Sequence, residues 1–211
     1  QGRKKHAGDA IFEDVNNDGQ LDSKDMKFMG CIRPDKVGGI VNSFKYKGLT
    51  VRVVMDWAMG HVIDNGFKGQ IMGSSRNNNN AIKDAMTNSW QSANDGTKYP
   101  KYTVQSDYDY QYRNHMRWDN QIGSSESGST NNSLYFSKGD YLAFREVSLS
   151  YMLPSTWVRK IRLSGVEVFA GAYNIGYVKK YDGMFPEIYT GVDYGVYPRP
   201  RQYNMGVKIN F

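Results

Sequence analysis

The last nine residues of the chain, 203–211, alternate large apolar side chains with polar or small ones. A period of two places the two sets on opposite faces of a β-strand. A tilted strand needs about nine to eleven residues to cross a bilayer. We therefore predict a closing strand of a transmembrane barrel, with its apolar side chains toward lipid and its polar ones toward the lumen. A strand of a soluble sandwich, with one face in a core, has the same pattern.

Four earlier segments are predicted to form strands by the same criterion. The first two are joined by Lys47-Gly48, a two-residue turn typical of an antiparallel hairpin. In the third, the alternation changes phase between Phe144 and Val147, and the slip at Arg145-Glu146 predicts a β-bulge. The five predicted strands cover residues 37–46, 49–60, 136–153, 165–177 and 199–211.

The connections between these strands alternate between short and long. Bacterial barrels have short periplasmic turns and longer extracellular loops, so residues 61–135 and 178–198 are predicted to be extracellular. By the same parity, residues 1–36 are an extracellular loop and residues 37–211 carry the barrel strands. Because a barrel needs about eight strands to close, either more chain precedes Gln1 or several copies assemble.

Composition favours a barrel over an ordinary soluble domain. The 211 residues include 16 Tyr and 22 Gly, the aromatic share is 14%, and the mean hydropathy is −0.65. Aromatic girdles and a polar lumen would produce this mix. No run approaches the roughly eighteen apolar residues of a helical membrane span, whereas barrel strands alternate. The fold class predicted is all-β.

Charge and cysteine content exclude other classes. The formal charge is +6, but Lys and Arg are scattered singly and form no basic stripe, so nucleic acid is not predicted as a partner. Cys31 is the single cysteine, so neither a disulfide framework nor a cysteine metal site is predicted. The sequence opens at Gln1 without the features of a signal peptide, and we expect that an exported protein of this kind lacks its beginning here.

Several blocks of the sequence together resemble the C-terminal part of SusC/RagA-type TonB-dependent outer-membrane transporters of Bacteroidetes. The resemblance covers nearly the whole chain, and its blocks are specific only in combination. They are Gly8-Asp9 with residues 14–25, Gly38-Gly39 through Gly48, Trp90 through Tyr99-Pro100, Gly139-Asp140-Tyr141-Leu142 through Val147-Ser148-Leu149-Ser150-Tyr151 to Pro154, Asn174, and Tyr197-Pro198-Arg199-Pro200-Arg201.

The resemblance implies a large plugged barrel of roughly 22 strands, of which this chain forms the last five. It also implies a partner, a SusD-like surface lipoprotein over the extracellular mouth. The function implied is nutrient uptake, in which oligosaccharides or peptides are imported with energy supplied through TonB. The signal peptide, the plug and the TonB-contacting segment belong to the family's N-terminal part. A membrane insertion signal is implied at the terminal strand, formed by Tyr203, Met205, Val207, Ile209 and Phe211.

An Asp-rich segment at residues 14–25 has the spacing of a calcium-binding loop. Oxygen-bearing side chains stand at positions 1, 3, 5, 9 and 12, with Gly19 at position 6 to permit a sharp turn and the Gln20 carbonyl as a further ligand. The last position carries Asp where an EF-hand has Glu, and no helix pair flanks it. The alternative is a turn held by side-chain hydrogen bonds to the backbone. The candidate ligands are Asp14, Asn16, Asp18, Gln20, Asp22 and Asp25.

The long connection at residues 61–135 contains a tyrosine-rich patch. An aromatic face stacks on sugars while the phenol edge forms hydrogen bonds, so Tyr108, Tyr110 and Tyr112 are candidate ligand contacts. Alternatively, these tyrosines pack the loop against itself or against the partner lipoprotein. Trp57 and Trp118 are interpreted as structural, the first at the membrane interface and the second within the loop.

No motif of an enzyme active site is present. His6, His61 and His115 lack metal-ligand spacing, and the sequence has no nucleophile elbow, phosphate-binding glycine loop or Cys–His signature. Asp107 and Asp109 are interpreted as solvated loop charge. We predict that the protein is not an enzyme.

Three functions remain open on the sequence alone. The first is an importer barrel with a lipoprotein lid. The second is a SusC-like barrel that serves as a structural subunit of an envelope assembly. The third is a free-standing soluble β-domain that binds glycans. The sequence does not distinguish a glycan from a peptide substrate.

Overall fold

The computed structural model describes residues 7–19, 23–72, 83–102 and 133–211. Its helices are α1 (Gly66–Met72), α2 (Lys83–Thr87) and α3 (Ser155–Val158), with 3-10 turns at Ser23–Asp25, Ser133–Tyr135 and Arg159–Ile161. The strands are β1 (Lys36–Tyr46), β2 (Leu49–Met59), β3 (Val62–Asp64), β4 (Phe136–Lys138), β5 (Tyr141–Met152), β6 (Gly165–Lys179) and β7 (Gln202–Asn210). None of these helices is long and apolar enough to span a membrane.

Five strands form one antiparallel sheet in the order β1-β2-β5-β6-β7. The five-strand, antiparallel prediction is confirmed, and the sheet is open rather than closed. The predicted third strand is divided, because residues 136–138 pair with β3 in a separate two-stranded sheet. The long predicted loop at 61–135 also contains β3, α1 and α2, which sequence periodicity did not reveal.

The turn between β1 and β2 has the backbone that its sequence predicts. Lys47 and Gly48 both have positive φ, at 45° and 86°. Positive φ at both central residues defines the type I′ turn, whose twist matches that of the flanking strands. Tyr46 and Leu49 are paired directly after the turn, which sets the register of the whole hairpin.

The predicted bulge lies at Arg145. On both sides of β5 the register skips this residue, since Phe144 and Glu146 pair with successive positions of β2 and with Gly176 and Tyr173 of β6. The extra residue lets Phe144 and Val147 lie on the same face although an odd number of positions separates them. The phase change in the sequence therefore does not move the apolar set to the other face.

The sheet consequently has two chemically distinct faces. Tyr203, Met205, Val207 and Ile209 of β7 are all exposed and belong to what we call the apolar face. Its members on the other strands are Ile40, Phe44, Tyr46, Leu49, Val51, Val53, Met55, Trp57, Leu142, Phe144, Val147, Leu149, Tyr151, Val168, Ala170 and Ala172. The opposite, polar face carries Ser43, Lys45, Thr50, Arg52, Asp56, Arg145, Glu146, Ser148, Ser150, Glu167, Asn204 and Lys208.

The chain divides into two compact units. Residues 31–61, 138–187 and 196–211 form the sheet unit. The other unit, residues 1–30, 62–137 and 188–195, has a small core in which Tyr135 is fully buried with Ala85 and Tyr99. Within it two of the resemblance blocks meet, since Gly8 lies against the Trp90 ring without room for a Cβ and its carbonyl accepts the Lys101 N–H at 2.8 Å.

Candidate functional site

The polar face carries a network of charges centred on the bulge. The bulge turns both Arg145 and Glu146 toward this face. The Arg145 guanidinium therefore reaches β2 and donates hydrogen bonds to both carboxylate oxygens of Asp56, at 2.5 and 2.8 Å. Its third nitrogen lies 2.5 Å from Glu187. Glu187 belongs to the connection between β6 and β7. One arginine thus joins two neighbouring strands to a distant loop.

Two further residues complete this network, which we call the Glu187 cluster: Asp56, Arg145, Tyr177, Glu187 and Arg199. The Tyr177 hydroxyl donates to Glu187 at 2.6 Å and accepts from Arg145 at 3.2 Å. Arg199 lies 3.2 Å from the second oxygen of Glu187. Each oxygen of Glu187 therefore has its own cationic partner.

Glu187 is buried, with 1% of its side chain exposed. Burial by itself raises the pKa of Glu187, but the hydrogen bonds from Tyr177 and Arg145 and the charges of both arginines outweigh it, so its pKa lies below the usual value. The carboxylate stays charged and paired. The Tyr177 ring also meets Phe185 edge-on at 5.8 Å. The cluster thus fastens residues 185–187 to the polar face.

A second group of contacts lies where β2 ends and β5 begins, at what we call the loop end of the sheet. The Asp140 carboxylate accepts the Gly60 N–H at 2.8 Å and the Lys180 ammonium at 2.9 Å. Hydrogen bonds from Lys180 and from the Gly60 backbone lower the pKa of Asp140. The Gly139 N–H donates to the His61 carbonyl at 2.8 Å. Gly139-Asp140 therefore ties the ends of three strands together.

His61 is buried within this group, with 5% of the residue exposed. Its ring lies so close to Gly139 that a Cβ at position 139 would overlap it. Its Nδ1 has no hydrogen-bond partner among the described residues. Burial, opposed by the negative charge of Asp140, lowers the pKa of His61. The ring is accordingly held neutral by its surroundings.

The other compact unit presents tyrosines on a fixed backbone. Residues 191–193 are pinned to residues 64–67 by three backbone hydrogen bonds, Asp64 N–H to Gly191 at 2.9 Å, Asp193 N–H to Asp64 at 2.8 Å and Phe67 N–H to Asp193 at 2.7 Å. On either side of this segment, Tyr189 and Tyr194 are 83% and 55% exposed. An exposed aromatic on a rigid backbone loses little entropy on binding.

Comparison with known proteins gives a consistent set of relatives, although no family model matches the chain. The chain is 25% identical over 216 residues to TonB-dependent receptor P3 of Formosa agariphila, which covers 97% of this chain. It is 25% identical over 91 residues, 43% of its length, to TonB-dependent receptor SusC of Bacteroides thetaiotaomicron. The chain resembles TonB-dependent receptors of the SusC/RagA type. The relationship expected from the sequence blocks is confirmed.

Solved structures agree at the level of the fold. The RagAB peptide importer in its closed-closed state matches 92% of this chain with a TM-score of 0.65 and 21% identity. A second structure, of the RagAB peptide transporter, matches 85% of it with a TM-score of 0.64 and 21% identity. The shared fold is the antiparallel wall of a SusC/RagA-type barrel. This chain spans about a fifth of these proteins, 19% of receptor P3 and 20% of the closed-closed RagAB chain.

The names of these relatives bear on the enzyme question. The relatives are receptors and transporters rather than enzymes. This agrees with the prediction that the SusC/RagA-like chain is not an enzyme. Of its histidines, His61 is placed by the structure as a buried packing residue beside Gly139.

The predicted calcium loop is described in part. The Asp14 carboxylate accepts the N–H groups of Asp18 and Gly19 at 3.2 and 2.8 Å, and Asp25 accepts the Val15 N–H at 2.8 Å. Such bonds close an Asp-rich turn whether or not it holds an ion. Among the described residues, no group of three or more His, Cys, Asp or Glu is arranged to hold a metal. Gln20 and Asp22 lie outside the described residues.

The other predicted site residues have different outcomes. Tyr108, Tyr110 and Tyr112 lie outside the part of the chain that the structure describes, as does Trp118. Tyr203, Met205, Val207 and Ile209 lie together on the apolar face. Their role as an insertion signal, with Phe211, stays a prediction.

Sequence reasoning missed the Glu187 cluster. A usable signal existed at each end of it. Arg145-Glu146 places two charges at the phase slip of an otherwise apolar strand, and Glu187 stands among Phe185, Pro186 and Ile188. A charge in an apolar stretch suggests a buried pair. The sequence carries no sign, however, that the two segments meet.

Proposed function

We propose that this chain forms the C-terminal wall of an outer-membrane barrel that imports nutrients in a TonB-dependent manner. The carrying observation is the sheet itself, whose apolar face is exposed on β7 and exposed or half-buried on the other four strands, while the opposite face bears paired charges. A bilayer is the environment in which such an apolar face is stable. The similarity to TonB-dependent receptors supports the same function.

The proposed partner is a SusD-like surface lipoprotein, and the proposed substrate is an oligosaccharide or a peptide. The SusC-named relative and the RagAB structures support this class of partner, and the name of the RagAB peptide importer supports the peptide as cargo. The oligosaccharide rests on the sequence resemblance. The lid and the extracellular loops capture the ligand, and TonB acts through an N-terminal plug. The proposed location is the bacterial outer membrane, with residues 61–135 and 178–198 extracellular.

The first test is native mass spectrometry of the receptor extracted gently from its own membrane. We expect a barrel of several times 24 kDa that retains a lipoprotein, with an oligosaccharide or peptide bound. A species recovered without detergent would contradict the membrane proposal and favour the soluble glycan-binding domain. A barrel held among unrelated envelope proteins, without a lid, would favour the structural subunit.

Transport is tested separately by uptake. A strain lacking the receptor should lose growth on the substrate identified by mass spectrometry while growing normally on its monomer. Removing TonB should cause the same loss. Uptake that persists without TonB would contradict energised import, even if the lipoprotein partner is found.

We further propose that residues 14–25 bind Ca²⁺ and stiffen an extracellular loop. Support comes from the spacing of Asp14, Asn16, Asp18, Gln20, Asp22 and Asp25, and from the bonds by which Asp14 and Asp25 close the segment. Calcium should slow hydrogen exchange in this segment, and Asp14→Asn with Asp18→Asn should abolish the effect. Asp9→Asn is the matched control. If the hydrogen-exchange rates are equal with calcium and with a chelator, the segment is a hydrogen-bonded turn that binds no Ca²⁺.

A further inference from the structure

At the end of the sheet opposite the loop end, the charged residues of the connecting segments are all Lys or Arg. This turn end comprises the Lys47-Gly48 turn, the connection at residues 153–164 and the end of β7. The three lie side by side, since the Gly48 carbonyl accepts the Met152 N–H and the Asn210 carbonyl accepts the Ser164 N–H, both at 2.8 Å. Residues 41–51, 147–166 and 200–211 contain no Asp or Glu, and the acidic residue next to them is Glu167 of β6, which pairs with Lys208 of β7. The cations near this end are Lys45, Lys47, Arg159, Lys160, Arg162 and Lys208.

The charge is unevenly distributed between the two ends. Asp56, Asp140 and Glu187 lie toward the loop end, where Arg145, Lys180 and Arg199 neutralise them. In contrast, Arg159, Lys160 and Arg162 are exposed and form no ion pair with a carboxylate of the described residues. These three cations are available to an external anion.

The same connection exposes two large apolar side chains. Trp157 on α3 and Ile161 on the following 3-10 turn are 62% and 65% exposed. Between them Val158 is 2% exposed, and its carbonyl accepts the Leu163 N–H at 3.3 Å. The segment is therefore held in place through Val158 while Trp157 and Ile161 project into the surroundings.

Apolar side chains of the sheet are also exposed at this end. Tyr151 and Val168, paired at this end, are 37% and 44% exposed, and Ile209 is 47% exposed. Where a lipid-facing surface ends, Trp and basic residues suit the interface, because the ring has an apolar body with a polar N–H and the cations face lipid phosphates.

We infer that the turn end binds anionic phospholipid headgroups, with Trp157 and Ile161 inserted at the interface and Arg159, Lys160 and Arg162 contacting phosphate. The inference rests on the membrane location given under Proposed function. It adds a preference for anionic over zwitterionic lipid, which a merely apolar wall does not have. The excess of positive charge, with Glu167 as the acidic residue nearest to the connection, selects this partner over a neutral one.

The test reconstitutes the complete receptor in nanodiscs of phosphatidylethanolamine mixed with phosphatidylglycerol and reads the lipids retained in native mass spectrometry. One variant carries Arg159→Gln, Lys160→Gln and Arg162→Gln. The control carries Arg33→Gln, Lys36→Gln and Lys138→Gln, which removes the same charge from exposed positions toward the loop end. Wild type and control should retain phosphatidylglycerol preferentially, and the turn variant should lose this preference by about tenfold or more. Equal retention by all three proteins would overturn the inference, as would an equal loss in the control.

A second measurement leaves the cations intact, so it tests the inference even if the variant without the three cations does not fold. The emission of Trp157, taken as the difference between wild type and Trp157→Phe, should be quenched by lipids brominated near the headgroup and protected from aqueous iodide. Quenching by iodide alone would overturn the inference. A wild-type protein that retains no lipid of either kind would contradict the membrane proposal itself, and the inference with it, whereas lipid binding without preference contradicts only the inference.

Discussion

His61 has a packing role that depends on its buried position beside Gly139. It has no metal-ligand spacing in the sequence, yet its ring fills the space above Gly139 and lies within the electrostatic influence of Asp140. A glycine at 139 is required because any Cβ there would overlap the ring. The Gly139-Asp140 block thus has a steric role and a hydrogen-bonding role in adjacent positions.

The buried, neutral state of His61 predicts a local dependence on pH. Its pKa is lowered in the folded state below the ordinary value of 6.5, so the unfolded state binds the proton more readily. The contribution to stability is fully present above pH 6.5 and is lost as the pH falls from 6.5 toward the folded pKa. Hydrogen exchange of residues 60–65, corrected for intrinsic rates, should accelerate over this window.

The control for this prediction is His61→Gln, which removes the titrating group at similar size. Exchange of the same peptide in this variant should be independent of pH over the window once intrinsic rates are removed. Asp140 acts electrostatically on the ring, Lys180 pairs with Asp140, and Asp35 lies beside Gly60. If the variant shows the same acceleration, the effect belongs to Asp140 or Asp35 rather than to His61.

The strand β5 shows how one extra residue organises an element. Without the bulge, Val147, Leu149 and Tyr151 would lie on the face opposite Leu142 and Phe144. The bulge restores one apolar face and at the same time directs Arg145 and Glu146 together to the polar face. The sequence shows the slip, but only the paired strands show that both residues turn the same way.

Breaking the Glu187 cluster should destabilise the protein far more than breaking an exposed pair on the same face. Arg145→Met leaves the buried Glu187 without its main partner and should cost about 3–5 kcal/mol in free energy of unfolding. Arg52→Met removes a pair whose nitrogen and oxygen lie 3.5 Å apart and whose arginine is 45% exposed, and should cost at most about 1 kcal/mol. Urea unfolding followed by gel mobility measures both. Similar losses would show that burial of Glu187 has no energetic role.

The two faces of β7 should respond differently to charge. Val207 lies on the apolar face, where its cross-strand partner is Val168. Asn204 lies on the polar face, where its cross-strand partner is Gly171. Val207→Lys should cost about 2–4 kcal/mol because it places an ammonium in lipid, and Asn204→Lys should be mild. Detergent-resistant folding into vesicles measures the difference. Equal effects would contradict the assignment of faces.

At the scale of the whole molecule, the described part consists of a sheet unit and a second unit built from the long connections. In the second unit Tyr102 and Leu134 both pack against the cluster of Ala85, Tyr99 and Tyr135. The described residues that flank the segment 103–132 therefore lie against the same core. A short linker can join them at small entropic cost.

Replacing residues 103–132 with a short Gly-Ser linker should leave folding unchanged while testing the predicted ligand contacts. On the proposed import function, if Tyr108, Tyr110 and Tyr112 bind substrate, uptake should fall although the protein still folds and retains the proposed lipoprotein. The triple Tyr→Phe variant at these positions separates stacking from hydrogen bonding, because it keeps the rings. Unchanged uptake in the linker variant would remove these tyrosines from the site.

The sequence by itself determined the five strands, the Lys47-Gly48 hairpin, the bulge and the alternation of the two faces. It could do so because each depends on the local period of two or on turn chemistry within a few residues. The resemblance blocks indicated a similarity to TonB-dependent receptors of the SusC/RagA type, and the comparisons find the same similarity. Tertiary structure alone decided that Glu187 reaches Arg145 across 42 positions of sequence, that His61 is buried by Gly139, and that the third predicted strand is divided. These are pairings between distant segments, and no local pattern specifies which segments meet.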